Sequence, residues 1–169
     1  MRILFVILLL FFSLNAAHAY DLKKVTDDTR IVAALKILDM ETLEQIFKDK
    51  RTQIIFYDFG LISYKYKNHF ALTSQNSEIV INAKYRNAPK EVLAALIAHE
   101  CVHLAAKGDL EEEVSATIAE ITQWGVNVYH DDMNPLVQRL NNLSQIYAEG
   151  GRTAIKRRIM ENEFYHGLF

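Results

Sequence analysis

Two histidines four residues apart, with a glutamate directly after the first, are the residues of this chain best suited to chemistry: His99-Glu100-Cys101-Val102-His103. Side chains four apart on a helix point the same way, so both imidazoles can reach one ion. A glutamate one step further round can hold a metal-bound water and take its proton. The types and their spacing therefore point to metal-assisted hydrolysis, with zinc as the ion and a peptide bond as the first substrate to consider. Placed at about 100° per residue, Leu93, Leu96, Ile97 and Leu104 form one apolar stripe, and Glu100 falls between that stripe and the histidines. A partly apolar setting raises a carboxylate pKa toward the range useful to a general base. Cys101 lands roughly opposite the histidines and reads as a small buried apolar residue, not a ligand.

A catalytic zinc ion takes three protein ligands and leaves a position to water. Asp109, Glu111, Glu112, Glu113, Glu120 and His130 are the candidates for the third. Asp109 and Glu112 make a capping-box pair that would open a helix, and Glu111 reads as a solvated charge in its first turn. Glu120 is seven residues after Glu113, nearly on the same helix face. It reads either as a partner that orients a histidine N–H or as an exposed helix carboxylate. Tyr129 and His130, at the end of that helix, would stabilise an oxyanion or else sit in a loop facing solvent.

At these residues the chain resembles the gluzincin class of zinc metallopeptidases, and in size its small single-domain members. In that class HExxH on one helix is completed by a glutamate from a following helix, often in a Glu-x-x-Ala context. Glu113-Val114-Ser115-Ala116 matches that context. The resemblance implies His99, His103 and Glu113 as ligands of Zn2+, Glu100 as general base, and a zincin-like fold. The metzincin pattern HExxHxxGxxH, or its variant ending in Asp, offers Asp109 as an alternative third ligand. That pattern needs a glycine where this chain has Ala106, in a backbone shape that alanine resists. Gluzincins also carry an Asn-Ala pair on an edge strand that pairs with an extended substrate, and Ile81-Asn82-Ala83 fills that place. Backbone groups on such an edge bind a peptide largely independently of its sequence. The resemblance spans about Glu78 to Trp124.

The elements that must position these residues follow from local patterns. Asp27-Asp28-Thr29 starts a helix carrying Ile31, Leu35 and Leu38, and a second covers Glu41 to Lys50. Gln53 to Phe59, His69 to Thr73 and Glu78 to Tyr85 read as strands, with turn residues at Ser74 to Ser77. Pro89 suits the first turn of the motif helix, which runs over Lys90 to Ala106, and Gly108 fits just past its end. Leu110 to about Val128 is the glutamate-bearing helix. Asn134-Pro135 begins another, closed by Gly150-Gly151, and Arg152 to Tyr165 forms the last. The fold class expected is α+β, with a small, mostly antiparallel sheet packed on the HExxH helix and C-terminal helices after it.

Arg2, the apolar run Ile3 to Leu14 and Ala17-His18-Ala19 read as a secretory signal peptide over residues 1–19. The run is shorter than the roughly 20 residues of a membrane span, so no stable anchor is expected after cleavage. The expectation is an exported protein, periplasmic or secreted. Residues 20–169 are expected to form a single domain, the usual size for one core. The one cysteine excludes an intramolecular disulfide. A net charge of −2 and no basic stripe argue against nucleic acid as a partner. A peptide or protein substrate is the partner expected. Two other readings stand beside the peptidase: an exported zinc-binding protein without catalysis, and a metal-free helical interaction domain. Either helical flank, Thr26 to Lys50 or Asn134 to Phe169, would complete the core or cover the cleft.

Overall fold

A computed structural model describes residues 20–62, 66–105, 108–125 and 133–161. The proposed signal segment, Tyr129 and His130 lie outside the described residues. Asp28 accepts the N–H groups of Arg30 and Ile31 and starts helix α1 (Thr29–Leu35). Asp39 accepts that of Thr42 and starts α2 (Met40–Lys48). These side chains satisfy donors that a first turn leaves unpaired, which is why the two short helices begin where they do. Strands β1 (Gln53–Tyr57), β2 (Ala71–Thr73) and β3 (Glu78–Asn82) follow. Then come the motif helix α3 (Lys90–His103), the glutamate helix α4 (Leu110–Trp124) and α5 (Pro135–Met160). The class is α+β, as expected, with five helices and three strands among the described residues.

The sheet is mixed, and here the expectation of a mostly antiparallel sheet is corrected. The order is β1-β3-β2, with β3 in the centre. β2 and β3 form an antiparallel hairpin, with Thr73 opposite Ile79. The longer pairing, from Gln53 opposite Glu78 to Tyr57 opposite Asn82, is parallel. The hairpin turn suits the sequence: Ser74 Oγ accepts the N–H groups of Asn76 and Glu78, and Ser77 takes φ 62°. Such a turn reads from local residues, whereas which side of the hairpin β1 joins is a long-range choice. Asn82 ends β3 early. Its side chain accepts the Lys84 N–H, turning Ala83–Tyr85 into a short 3-10 helix in place of the expected strand.

Residues Val92 to Ala98 of α3 are all buried. The helix is thus apolar on every side of its first half, and a single stripe describes it too narrowly. The reason is its central place, in contact with α1, α2, α4, β2 and β3. Ile31, Leu35, Leu43 and Ile46 from the N-terminal helices join the same core as Ile54, Ile79, Ile81 and Leu93. A second, smaller cluster unites Val114 and Ile121 of α4 with Ile155 and Ile159 of α5. Both helical flanks therefore contribute buried residues.

Helix α5 breaks at Gly151, whose φ of 59° and ψ of −153° suit glycine alone. A Cβ on Gly150 would meet that of Ala154 at 2.6 Å. The break separates residues 135–150 from a leg ending at Met160, as the Gly-Gly pair predicts. No helix among the described residues is long and apolar enough to cross a membrane.

Candidate metal centre

His99 and His103 come together one turn apart at the C-terminal end of α3, and Glu113 reaches them from the first turn of α4. The Nε2 atoms of the two histidines are 3.3 Å apart. His99 Nε2 lies 3.6 Å from Glu113 Oε1, and His103 Nε2 lies 3.4 Å from Glu113 Oε2. Two ligand atoms bound at about 2.0–2.1 Å to a tetrahedral ion stand about 3.3–3.4 Å apart. The three side chains are therefore spaced for one metal ion, and this buried group can hold one. Among the described residues it is the one group of its kind, and it contains no fourth protein ligand.

The far nitrogen of each imidazole meets a carboxylate. His103 Nδ1 is 2.6 Å from Glu112 Oε1, and Glu112 Oε2 accepts the Gly108 N–H at 3.0 Å. His99 Nδ1 is 3.3 Å from Glu120 Oε2. Carboxylates in these positions favour the Nδ1–H tautomer and leave both Nε2 lone pairs facing Glu113. Lone pairs crowded in this way repel unless a proton or a metal cation lies between them. The charge balance points the same way. Arg139 compensates Glu120, which leaves Glu100, Glu112 and Glu113 around two histidines, and carboxylates so enclosed call for positive charge from protons on the imidazoles or from a metal ion.

Glu120 is fully buried, which decides between the two readings of it. Burial works to raise its pKa, but the charge of Arg139 and the bond and charge of His99 outweigh burial and hold it at about 2. For the histidines burial opposes protonation. At His103 the bonds from Glu113 and Glu112 prevail and lift the pKa to about 9. At His99 Glu120, Glu100 and Glu113 also prevail, and the pKa rises.

Glu100 is 6 % exposed, and burial raises its pKa against the opposing pull of His99, His103 and Thr73. The burial is present, but the groups that meet its carboxylate are the polar Thr73 and the two histidines. The Thr73 hydroxyl on β2 lies 2.9 Å from Glu100 Oε2 and 2.8 Å from its backbone oxygen. Leu104 bonds back three residues to Cys101, so the Glu100 carbonyl is one that the fraying helix end leaves to other donors.

Several expected positions find other work. Asp109 is exposed and caps α4, its Oδ1 2.8 Å from the Glu112 N–H, so it lies outside the cluster. Glu112 does reach back from the helix start, but to Gly108 and to the candidate ligand His103, a contact that the capping-box reading missed. Glu111 pairs with Arg152 and Lys156. Cys101 is buried with its thiol pushed up to about 12 by burial, Sγ 3.6 Å from the Thr42 oxygen, on the side of α3 that meets α2. Trp124 is buried and donates to Asn141.

The expectation of an edge strand at Asn82-Ala83 is corrected. β3 is paired on both sides, and the buried Asn82 side chain donates to the Lys67 and His69 carbonyls. The edge nearest Glu100 belongs to β2. There Phe70 and Ser74 bond with β3, so Ala71 and Thr73 point their backbone groups outward. Arg139 and Thr73 carried no local signal of a role here; both act through contacts distant in sequence. No family model, curated protein or solved structure matches this chain.

Proposed function

We propose that the chain is an exported zinc-dependent peptidase of gluzincin-like, zincin type, with His99, His103 and Glu113 as ligands and Glu100 as general base. The observation that carries this reading is the convergence of two imidazole nitrogens and the Glu113 carboxylate, with ligand atoms within 4.8 Å of one another, beside the buried Glu100 carboxylate. Three protein ligands among the described residues favour a catalytic over a structural site, since structural zinc is usually closed by four. Bound zinc would supply Lewis acidity and lower the pKa of its water. Glu100 then accepts the proton of the attacking water and passes it to the leaving amine, and burial raises its affinity for protons in the direction a general base needs. Thr73 fixes the direction of the carboxylate. The outward backbone of Ala71 and Thr73 receives an extended peptide by strand addition, and Thr73 brings that edge next to Glu100.

Metal analysis and hydrolysis of a mixed peptide library test the reading. Wild type should hold about one zinc per chain and cleave peptides. Glu100→Gln should keep the metal and lose turnover by about 100-fold or more. Stoichiometric zinc with no hydrolysis of any peptide would favour the non-catalytic binding protein, and absence of metal would favour the interaction domain.

A further inference from the structure

The carboxylate of Glu120 is shared. On one side it meets His99 Nδ1 at 3.3 Å. On the other it receives both ends of the Arg139 guanidinium, Nη1 on Oε1 and Nη2 on Oε2, the latter at 3.0 Å. A two-point fork of this kind fixes the plane of a carboxylate as well as its charge, which a single ammonium would not do. Arg139 lies on α5, beyond the stretch that carries the metal ligands. Its guanidinium carbon also lies 4.8 Å over the ring of Phe70. Phe70 immediately precedes β2, and its backbone oxygen is held to the sheet by the Asn82 N–H at 2.9 Å.

A continuous line of contacts thus runs from His99 through Glu120 and Arg139 to Phe70. It joins the motif helix to the head of β2 by way of α4 and α5. The other end of β2 reaches the motif helix through Thr73 and Glu100. We propose that Arg139 is a positioning residue that seats His99 for the metal ion through Glu120 and couples metal binding to the order of strand β2. Without the guanidinium, Glu120 has freedom to swing, and the imidazole loses the partner that aims its Nε2 at the ion. Without the stacked Phe70, the strand head loses its tie to the centre.

The inference rests on the metal reading above, and the experiment separates the two. Zinc affinity is measured by chelator competition, and ligand geometry by the visible absorption of the cobalt form, for wild type, Arg139→Ala and Arg139→Lys. A double variant, Glu120→Gln with Arg139→Met, replaces the buried pair by neutral side chains and keeps the test alive should Arg139→Ala fail to fold. Amide exchange at Leu72 and Ser74, whose N–H groups face β3, is followed with and without zinc. Arg139→Ala and the double variant should bind zinc about tenfold or more weakly, with altered cobalt spectra, and Arg139→Lys should fall between. Zinc should protect the β2 amides in wild type and fail to do so in the variants. Folded variants that bind zinc as tightly as wild type overturn the proposal, as does equal protection of β2 in wild type and variants, or protection in neither. If wild type itself takes up neither zinc nor cobalt, the metal reading has failed and the proposal falls with it.

Discussion

Thr73 touches both ends of Glu100: its hydroxyl lies 2.8 Å from the backbone oxygen and 2.9 Å from the carboxylate Oε2. One proton serves two acceptors, so the hydroxyl also has lone-pair capacity for a proton carried by Glu100. Thr73→Val should lower kcat by about 10- to 100-fold while leaving metal content unchanged, because a hydrogen bond to a charged group is worth about 1.5–3 kcal/mol. Thr73→Ser should retain most activity. Steady-state kinetics with metal analysis on each variant checks both, and equal kcat for Val and wild type would remove Thr73 from the proposed mechanism.

Metal removal should be visible in stability. With free zinc at about a hundred times its Kd, binding adds about 2.7 kcal/mol. For a chain of this size that raises Tm by roughly 5–10 °C, at roughly 2–4 °C per kcal/mol. Chelator should reverse the shift, and Glu113→Ala should abolish it. Asp109→Asn should leave it intact, since that residue caps α4 and lies outside the cluster. Thermal melts with and without zinc decide the matter.

Acid should act on the fold through Glu120. Its folded pKa of about 2 lies below the ordinary 4.5, so the carboxylate stabilises the fold above the unfolded value. That contribution, on the order of 3 kcal/mol, is lost as pH falls from about 4.5 to about 2. His99, whose pKa is raised, works in the opposite sense, stabilising below 6.5 and losing that as pH rises through its folded value. In the metal-free protein it is protonated in both states across the acid window and adds no slope. Denaturation midpoints of wild type and Glu120→Gln, compared between pH 5 and 2, should converge toward acid; parallel curves would count against this account.

Cys101 should behave as a bystander. Its thiol is buried and held up to about 12, so native protein should resist thiol reagents and react only when unfolded. Cys101→Ala should keep full metal stoichiometry at a stability cost of about 1 kcal/mol from lost packing. Loss of the metal in that variant would reopen its role as a ligand.

What was legible in the chain beforehand divides by range. Asp28, Asp109 and Asn134 mark their helix starts because a cap is a contact within three residues. His99 and His103 share a face by helical spacing alone. Glu113 required the resemblance to be chosen from its neighbours, and Glu112 shows why. Local spacing assigned Glu112 to the cap, yet its carboxylate reaches His103, nine residues back, where only the packing of α3 on α4 brings them together. The parallel union of β1 with β3 and the line from Arg139 to Phe70 are of the same kind: nothing near these residues in sequence encodes their partners.

The glycine break in α5 has a consequence for how the molecule opens. Beyond Gly151 the leg is fastened by Ile155 and Ile159, buried in the smaller cluster, and by the exposed pairs of Arg152 and Lys156 with Glu111. Exposed pairs contribute little, so this leg forms a seam of low local stability beside a well-packed body. Its amides should exchange with solvent well before those of Val92 to Ala98. Because the leg lies against the turn that carries Glu112 and Glu113, fraying at that seam would slacken the metal grip while leaving the central helix folded.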